Sequence, residues 1–170
     1  MRIAICWAHW VGKSTISKLI SQEYWLPILH DIVVDAHKLW FTINEETPIE
    51  TQIWLTGKQV EQEKNHSTFV ADKCIFDYHI YAKALNMDND VIEITRKIAL
   101  KTYKYDHIFY IKPEFPIVDD WLRSTNIEFQ KTVQNTYENF MKENDIEYTY
   151  ITWSIKERFN QIKKQLDIKK

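Results

Sequence analysis

The chain has 170 residues, 45% of them hydrophobic, a formal net charge of −2 and a pI of about 6.3. That length supports one domain with a proper core, and the lack of a basic excess makes nucleic acid an unexpected partner. No apolar run approaches the roughly 18 residues of a membrane span and no signal peptide is visible, so we expect a cytoplasmic protein.

Short apolar runs alternate with helical patterns along the whole chain. The runs that predict β-strands are residues 2–6, 26–31, 68–73, 106–112 and 147–152. The patterns that predict helices are residues 13–24, 32–39, 48–64, 74–85, 88–104, 127–144 and 154–168. This alternation is typical of an α/β fold, so we expect a three-layer α/β/α arrangement around a parallel sheet of these five strands. No linker or repeat interrupts it, and we predict a single domain over residues 1–170.

Two segments carry further local signals. The third predicted helix has Thr47 as a candidate N-cap, Pro48 at its first helical position and Glu50 three residues after the cap. Residues 113–126 contain two prolines and clustered charges, which predict a loop. Because the carboxyl ends of parallel strands bind ligands in such folds, we expect a site where the predicted strands end.

The counts of three residue types are informative. The two cysteines, Cys6 and Cys74, lie in apolar runs, and we expect both to be reduced core residues. Glycine usually makes up about 7% of residues, which predicts about 12 in a chain of this length. The chain has 2, Gly12 and Gly57, whereas tryptophan, normally rare, occurs 7 times.

A phosphate-binding loop (P-loop, or Walker A motif) follows the first predicted strand, with one departure. The motif is G-x-x-x-x-G-K-[ST], and residues 7–14 read W-A-H-W-V-G-K-S, so that only the first glycine is replaced, by Trp7. In such loops backbone N–H groups and a helix N-terminus surround the phosphates of a nucleotide. The predicted nucleotide-binding residues are Trp7, Ala8, His9, Trp10, Val11, Gly12, Lys13, Ser14 and Thr15.

Tryptophan stands at six places where the chain pattern favours glycine. These are Trp7, Trp10, Trp25, Trp40, Trp121 and Trp153. Trp54 differs, because it lies inside a predicted helix among apolar neighbours. We hypothesise that the six are glycine in the natural protein, encoded by UGA codons that some bacterial lineages read as glycine and others as tryptophan. The alternative is a true tryptophan-rich protein with a defective loop.

These features resemble a known group. The stretches "WAHWVGKST", "FVADKCIFDYHIYA", "YDHIFYIKPEFPIVDDWLRST" and "ITWSIKERF" are similar to those of P-loop kinase-like ATPases related to the nicotinamide riboside kinase domain. This AAA-type ATP-binding branch lies near the deoxynucleoside and thymidylate kinases, and the resemblance runs over nearly the whole chain. It implies a P-loop NTPase fold and an ATP- and Mg²⁺-dependent kinase that transfers the γ-phosphate to a small nucleoside-like acceptor.

Two departures from the family pattern concern the acceptor. Family members commonly have Asp-Arg where this chain has Asp72 and Lys73, and an acidic residue with a nearby Arg after the second strand, where it has Asp31 and Val34. The alternative to a kinase is a nucleotide-binding ATPase or switch that phosphorylates no small molecule. If Trp7 and Trp10 are genuine, an inactive pseudokinase is a further alternative.

The candidate catalytic residues are Lys13, Asp31, Asp72 and Arg123. In the motif, Lys13 reaches the β- and γ-phosphates and the Ser14 hydroxyl binds Mg²⁺. Asp72 ends a predicted strand and would hold Mg²⁺ through water, unless it is an ordinary turn residue. Asp31 is a candidate general base for an acceptor hydroxyl, or a helix N-cap.

The remaining assignments follow from the resemblance. Lys73 would replace the family's arginine at a phosphate, without its bidentate fork, and Asp77 matches a family position that faces the site. The loop at 113–126 would form a lid in which Arg123 stabilises transition-state charge. Asp119 and Asp120 would bind substrate hydroxyls or anchor the lid. The turn at Trp153 would lie near the adenine, flanked by Arg158, whereas Tyr78 and Tyr81 are more typical of core residues, and the six histidines show no metal-ligand spacing.

Overall fold

The computed structural model describes residues 1–6, 12–111 and 126–167. The strands are β1 (Arg2–Cys6), β2 (Ile28–Leu29), β3 (Phe69–Ala71), β4 (His107–Ile111) and β5 (Thr149–Ile151). The helices are α1 (Lys13–Tyr24), α2 (Val33–Lys38), α3 (Ile49–Asn65), α4 (Ile75–Ala84), α5 (Asn89–Thr102), α6 (Ile127–Glu143) and α7 (Ile155–Asp167). Each described strand and helix falls on a segment predicted for it. The predicted loop at 113–126 lies outside the described residues, apart from Asn126.

The five strands form one parallel sheet in the order β2-β3-β1-β4-β5. In the central strand β1, Ala4 pairs with Ala71 of β3 on one side and with Ile108 of β4 on the other. All strands are parallel, so their carboxyl ends share one edge of the sheet. The residues that follow β1, β2 and β3 therefore converge there.

Helices cover the sheet in two groups. Helix α1 packs against α7 and β3, whereas α4 packs against α3, α5 and α6. Between them, Ile3, Ala4, Ile5 and Cys6 of β1 are completely buried, which is the expected character of a parallel strand. The predicted α/β class and parallel sheet are thus confirmed.

The predicted start of the third helix is wrong in detail. Pro48 has extended backbone angles and is itself the N-cap of α3, so it is not the first helical residue. Thr47 does not cap this helix, because its hydroxyl donates to the Asn44 carbonyl at 2.7 Å and closes a short 3-10 turn at Asn44–Glu46. The Thr47 hydroxyl therefore bonds within this turn and not to the start of α3, and the sequence pattern did not reveal the turn.

The two cysteines agree with the expectation of reduced core residues. Both are free and buried, and their Sγ atoms lie 3.4 Å apart. Among the residues described, no helix is both long and apolar enough to span a bilayer.

Candidate active site

The first part of the site is the start of α1, which follows the loop sequence. Gly12 has a φ of 78°, a left-handed conformation that residues with a Cβ rarely adopt. A Cβ at this position would also lie 2.6 Å from Ile155 Cδ1 of α7. Lys13, Ser14 and Thr15 then form the first turn of α1. The other predicted loop residues, Trp7, Ala8, His9, Trp10 and Val11, lie outside the described part of the chain.

Helix α1 and strand β3 meet at Asp72. The Ser14 hydroxyl donates to Asp72 Oδ2 at 2.6 Å, and the Ser17 hydroxyl approaches Asp72 Oδ1 at 3.5 Å. Ser14 and Asp72, both predicted as metal-site residues, are therefore brought together from positions far apart in sequence. Sequence reasoning missed Ser17, although its place three residues after Ser14 on one helix face was a usable signal.

These oxygens suit a magnesium ion chemically. Hydroxyl and carboxylate oxygens are the ligands that Mg²⁺ prefers, and it commonly keeps several waters and binds through one or two carboxylates. The described residues contain no group of three or more His, Cys, Asp or Glu side chains able to hold a metal. Ser14 and Asp72 would supply one hydroxyl and one carboxylate to such an ion.

A buried ion pair lies beside the hydrogen bond between Ser14 and Asp72. Lys73 Nζ is 3.8 Å from Asp31 Oδ1, and both side chains are more than nine-tenths buried. Asp31 Oδ1 also accepts a hydrogen bond from the Val33 N–H at 3.1 Å. The N-cap of α2 is Ile32 rather than Asp31, so the Asp31 carboxylate supports the start of α2 while facing Lys73.

Asp77 is almost completely buried beneath these groups. Its Oδ2 accepts from the Cys74 N–H at 2.8 Å and forms a capping box at the start of α4, and its Oδ1 has no hydrogen-bond partner among the described residues. Burial raises the pKa of Asp77, while the nearby charges of Lys13 and Lys73 act in the opposite direction. The side chain is close enough to sense both lysines, but its predicted contact with substrate stays a prediction.

A small cavity opens beside Lys73. It has a volume of about 30 Å³ and is lined by Val33, Ile43, Asn44, Thr47, Gln52, Leu55, Lys73, Tyr78 and Tyr81. Three larger clefts, of about 620, 460 and 340 Å³, are lined by other residues. Lys73 lines the small cavity, whereas none of Ser14, Asp72 and Lys73 lines a larger cleft, so we place the candidate site at the small cavity and at the residues next to Lys73.

Tyr78 and Tyr81 are not merely core residues. The Lys73 ammonium lies 5.3 Å from the centre of the Tyr78 ring and 4.8 Å from that of Tyr81. Their spacing of three residues on one helix was the only sequence signal for this pairing.

Three of the six unusual tryptophans are described, and all three have left-handed backbone angles. The φ angles are 54° at Trp25, 62° at Trp40 and 77° at Trp153, and the side chains are 92%, 94% and 65% exposed. The other residues with positive φ in the described chain are Gly12, Asn44, Asn86 and Asp145, which are of the types that tolerate this conformation. Trp54 lies instead within α3, with its ring edge-on to Phe41 at 4.9 Å.

Trp25 and Trp40 occupy the same position in helix-ending motifs. The N–H of Leu26, the residue after Trp25, donates to the Ser21 carbonyl. In the same way, the N–H of Phe41, the residue after Trp40, donates to the Ala36 carbonyl. This is the Schellman arrangement, whose left-handed residue is usually glycine. The same motif ends α4 at Asn86 and α6 at Asp145.

The end of the chain contributes the turn at Trp153. Ser154, which follows it, accepts from the Glu157 N–H, and the Glu157 carboxylate accepts from the Ser154 N–H at 3.1 Å, so the two cap α7. Arg158 is fully buried on α7. The predicted lid residues Asp119, Asp120, Trp121 and Arg123 lie outside the described residues.

Comparison with known proteins places this arrangement in a family. A sequence profile of the AAA domain matches residues 2–158. Among curated proteins, the chain is 24% identical over 139 residues to a deoxyguanosine kinase from Bacillus subtilis (strain 168), in a match that covers 74% of this chain and 67% of the relative.

Solved structures share the fold. A deoxyadenosine kinase from M. mycoides, solved with dCMP and a flexible dCDP, superposes with a TM-score of 0.77 at 20% identity and full coverage of both chains. The NadR protein solved with NAD and AMP-PNP superposes with a TM-score of 0.76 at 12% identity, over 96% of this chain and 48% of that one. The resemblance inferred from the sequence is confirmed at the level of fold and family.

Proposed function

The chain belongs to the AAA domain family, and on that premise we propose that it is an ATP- and Mg²⁺-dependent kinase that transfers the γ-phosphoryl group to a small nucleoside-like acceptor. The observation that carries the proposal is the convergence of Ser14 with Asp72, and of Lys73 with Asp31, at the carboxyl edge of the sheet. The proteins to which the chain is similar include a deoxyguanosine kinase by sequence and a deoxyadenosine kinase by fold.

Donor binding is assigned to the start of α1. Phosphoryl transfer requires positioning and charge neutralisation more than covalent help from the protein. Backbone N–H groups from Gly12 onward and the positive end of α1 would face the phosphates, and Lys13 would neutralise the β- and γ-phosphates. Ser14 and Asp72 would hold Mg²⁺, directly and through water, and the ion would offset charge on the transferred group.

Acceptor activation is assigned to Asp31 and Lys73. The Asp31 carboxylate lies 3.8 Å from the ammonium of Lys73, which lines the small cavity that we call the acceptor cavity. Asp31 is the proposed general base for an acceptor hydroxyl. Lys73, which lines the cavity, would neutralise negative charge on the transferred group. Asp77, Asp119, Asp120 and Arg123 complete the proposal as substrate contacts and lid residues, and Trp153 as part of the turn near the adenine.

The proposal includes glycine at the six tryptophan positions in the natural protein. Glycine at positions 7 and 10 would give an intact phosphate loop. Its support is conformational. Trp25, Trp40 and Trp153 have left-handed backbones and largely exposed indoles, and two of them occupy the glycine position of a Schellman motif. Trp54, which the sequence singled out as genuine, has helical backbone and ring packing instead.

The codons of the gene and the residues found in the natural protein test the glycine proposal. The codons at 7, 10, 25, 40, 121 and 153 should be UGA and the codon at 54 should be UGG. Peptide mass spectrometry of the protein isolated from its own cells should find glycine at the six positions and tryptophan at 54. Seven UGG codons would overturn the proposal and favour a pseudokinase.

A kinase assay tests the activity. The protein with glycine at the six positions and the protein with all seven tryptophans are compared for ADP release with ATP, Mg²⁺ and a panel of nucleosides and deoxynucleosides. We expect nucleoside-dependent ADP release only from the glycine version. Slow hydrolysis that no acceptor accelerates would instead support an ATPase or switch.

A paired substitution tests the assigned metal site. Asp72→Asn should raise the Mg²⁺ concentration needed for half-maximal activity by about 10- to 100-fold, the usual effect of losing a partner of a metal-bound water. Asp35→Asn, an exposed carboxylate on α2, is the matched control and should leave this concentration unchanged. Equal effects of the two changes would contradict the assignment.

A further inference from the structure

Lys73 lies in a bracket formed by Asp31, Tyr78 and Tyr81. Its side chain is 5% exposed, with the ammonium 3.8 Å from the Asp31 carboxylate and 5.3 Å and 4.8 Å from the two ring centres. A lysine has a flexible four-carbon stem and no planar fork, so its surroundings must fix the direction of its charge. The bracket supplies that constraint from three sides.

The two rings have different constraints. The Tyr78 hydroxyl donates to Gln59 Oε1 at 3.2 Å, and the residue is fully buried, which fixes that ring in the core. The Tyr81 ring is half-buried, lines the cavity and meets the Phe129 ring at 6.0 Å. Lys73, Tyr78 and Tyr81 all line the cavity, and Tyr81 is the one of the two tyrosines that is only half-buried.

The short connection between β3 and α4 explains how the bracket forms. Lys73 follows β3, and α4 begins two residues later at Ile75, so the first turns of α4 fold back over the lysine. Tyr78 and Tyr81 are three residues apart and share one face of α4. An ammonium ion is attracted to the face of an aromatic ring, and the attraction grows when water is excluded, as it is here.

We propose that Tyr81 is a positioning residue, which holds the Lys73 ammonium toward the acceptor cavity through its ring face and so makes a lysine sufficient at this position. The inference rests on the proposed kinase function for its catalytic consequence. Its structural part, a coupling between Tyr81 and Lys73, stands on the contact alone. The ring and not the hydroxyl carries the effect, which separates this role from that of a hydrogen-bonding tyrosine.

A double-mutant cycle tests the contact without any need for turnover. Unfolding in urea is measured for the unchanged chain, Tyr81→Leu, Lys73→Met and the double variant, with Tyr81→Phe as the conservative replacement. We expect Tyr81→Phe to preserve stability, and Tyr81→Leu to cost less when Lys73 is already Met. Strictly additive costs would overturn the proposal.

Steady-state kinetics test the consequence. In the version with glycine at the six positions, Tyr81→Leu should lower kcat/KM for the acceptor by roughly fivefold to twentyfold and Tyr81→Phe by less than about twofold, as a ring–cation contact predicts. With Lys73→Met already in place, Tyr81→Leu should have no further effect on kcat. Tyr150→Leu, an exposed tyrosine on β5, is the control for loss of a surface ring.

The outcomes separate the two proposals. If the version with glycine at the six positions phosphorylates no acceptor, the proposed function fails, while the urea cycle still decides whether Tyr81 and Lys73 are coupled. If the protein is active but Tyr81→Phe and Tyr81→Leu lose equal activity, the hydroxyl is responsible and the positioning role is overturned.

Discussion

Single residues decide how the chain turns, and the tryptophans fall into two kinds at this scale. An L-residue with a side chain in the left-handed conformation costs roughly 1–2 kcal/mol, a cost that asparagine and aspartate partly offset with local hydrogen bonds. Asn86 and Asp145 therefore suit the helix ends that they occupy, whereas Trp25 and Trp40 do not. The indoles of Trp25 and Trp40 are exposed, so they have little packing that could offset this cost in free energy.

The first prediction concerns this strain. Trp25→Gly and Trp40→Gly should each raise the free energy of unfolding by about 1 kcal/mol, because each removes a left-handed residue with a side chain. Trp54→Gly should lower it by about 3 kcal/mol or more, because it deletes a packed ring and places glycine inside a helix. Urea unfolding of the three variants provides the comparison, and a loss of stability at Trp25 or Trp40 would contradict our interpretation of these positions.

A buried histidine supplies the second prediction. His79 packs against the Phe140 ring at 4.9 Å, and burial lowers its pKa from 6.5 to about 4. Because the folded state binds the proton less tightly, the stability from neutral His79 is fully present above pH 6.5 and is lost as the pH falls toward 4.

The stability difference between the unchanged chain and His79→Leu should therefore shift by up to about 3 kcal/mol between pH 7 and pH 4, against the unchanged chain at the acid end. Equilibrium unfolding at a series of pH values measures it. A difference that does not vary with pH would show that His79 is not held neutral.

At the scale of elements, the two glycines have opposite roles. Gly12 begins α1 with a left-handed φ and has Ile155 of α7 against it, whereas Gly57 lies inside α3 with no atom within 4 Å of an added Cβ. Glycine is therefore required at one helix start and is unfavourable within the other helix. The start of α1 is also the proposed binding position of the nucleotide phosphates. The backbone conformation of Gly12 therefore affects both the packing against α7 and the proposed site.

The third prediction compares these glycines. Gly12→Ala should destabilise the fold by about 1 kcal/mol or more and weaken nucleotide binding, because the loop must shift. Gly57→Ala should stabilise α3 by about 0.5–1 kcal/mol and leave binding unchanged. Urea unfolding and titration with a fluorescent ATP analogue measure both, and equal binding by the two variants would argue against a fixed Gly12 conformation.

For the whole molecule, the sheet order determines which residues meet. Strand β1 lies between β3 and β4, so the start of α1 is placed beside Asp72 at the end of β3. Strand β2 lies on the other side of β3 and brings Asp31 to Lys73. The Ser14–Asp72 hydrogen bond and the Lys73–Asp31 ion pair are neighbours because β1, β3 and β2 are adjacent strands.

The prediction at this scale is cooperative unfolding. If residues 1–170 form a single domain, as the uninterrupted alternation of strands and helices predicts, urea should unfold secondary and tertiary structure together. Far-ultraviolet and near-ultraviolet circular dichroism should then give coincident transitions. Separate midpoints would indicate two folding units.

The sequence by itself determined the order and type of the elements, the phosphate-loop pattern and the six tryptophan positions where the chain pattern favours glycine. These signals are local, because hydrophobic periodicity, helix ends and short motifs depend on neighbours in the chain. The predicted segments 26–31 and 68–73 were longer than β2 and β3, because they included polar residues that follow the paired positions. The N-terminus of α3 was wrong because Thr47 had a competing local partner.

Only the tertiary structure decided which polar groups meet. Ser14 and Asp72 are 58 residues apart in the chain. Local spacing places Ser17 near Ser14 and Tyr81 near Tyr78, but it does not show that these side chains meet Asp72 and Lys73. The burial of Asp77 likewise depends on helices that pack over it. Contacts of this kind depend on the order of strands in the sheet and on the packing of helices across it, which are collective properties of the folded chain.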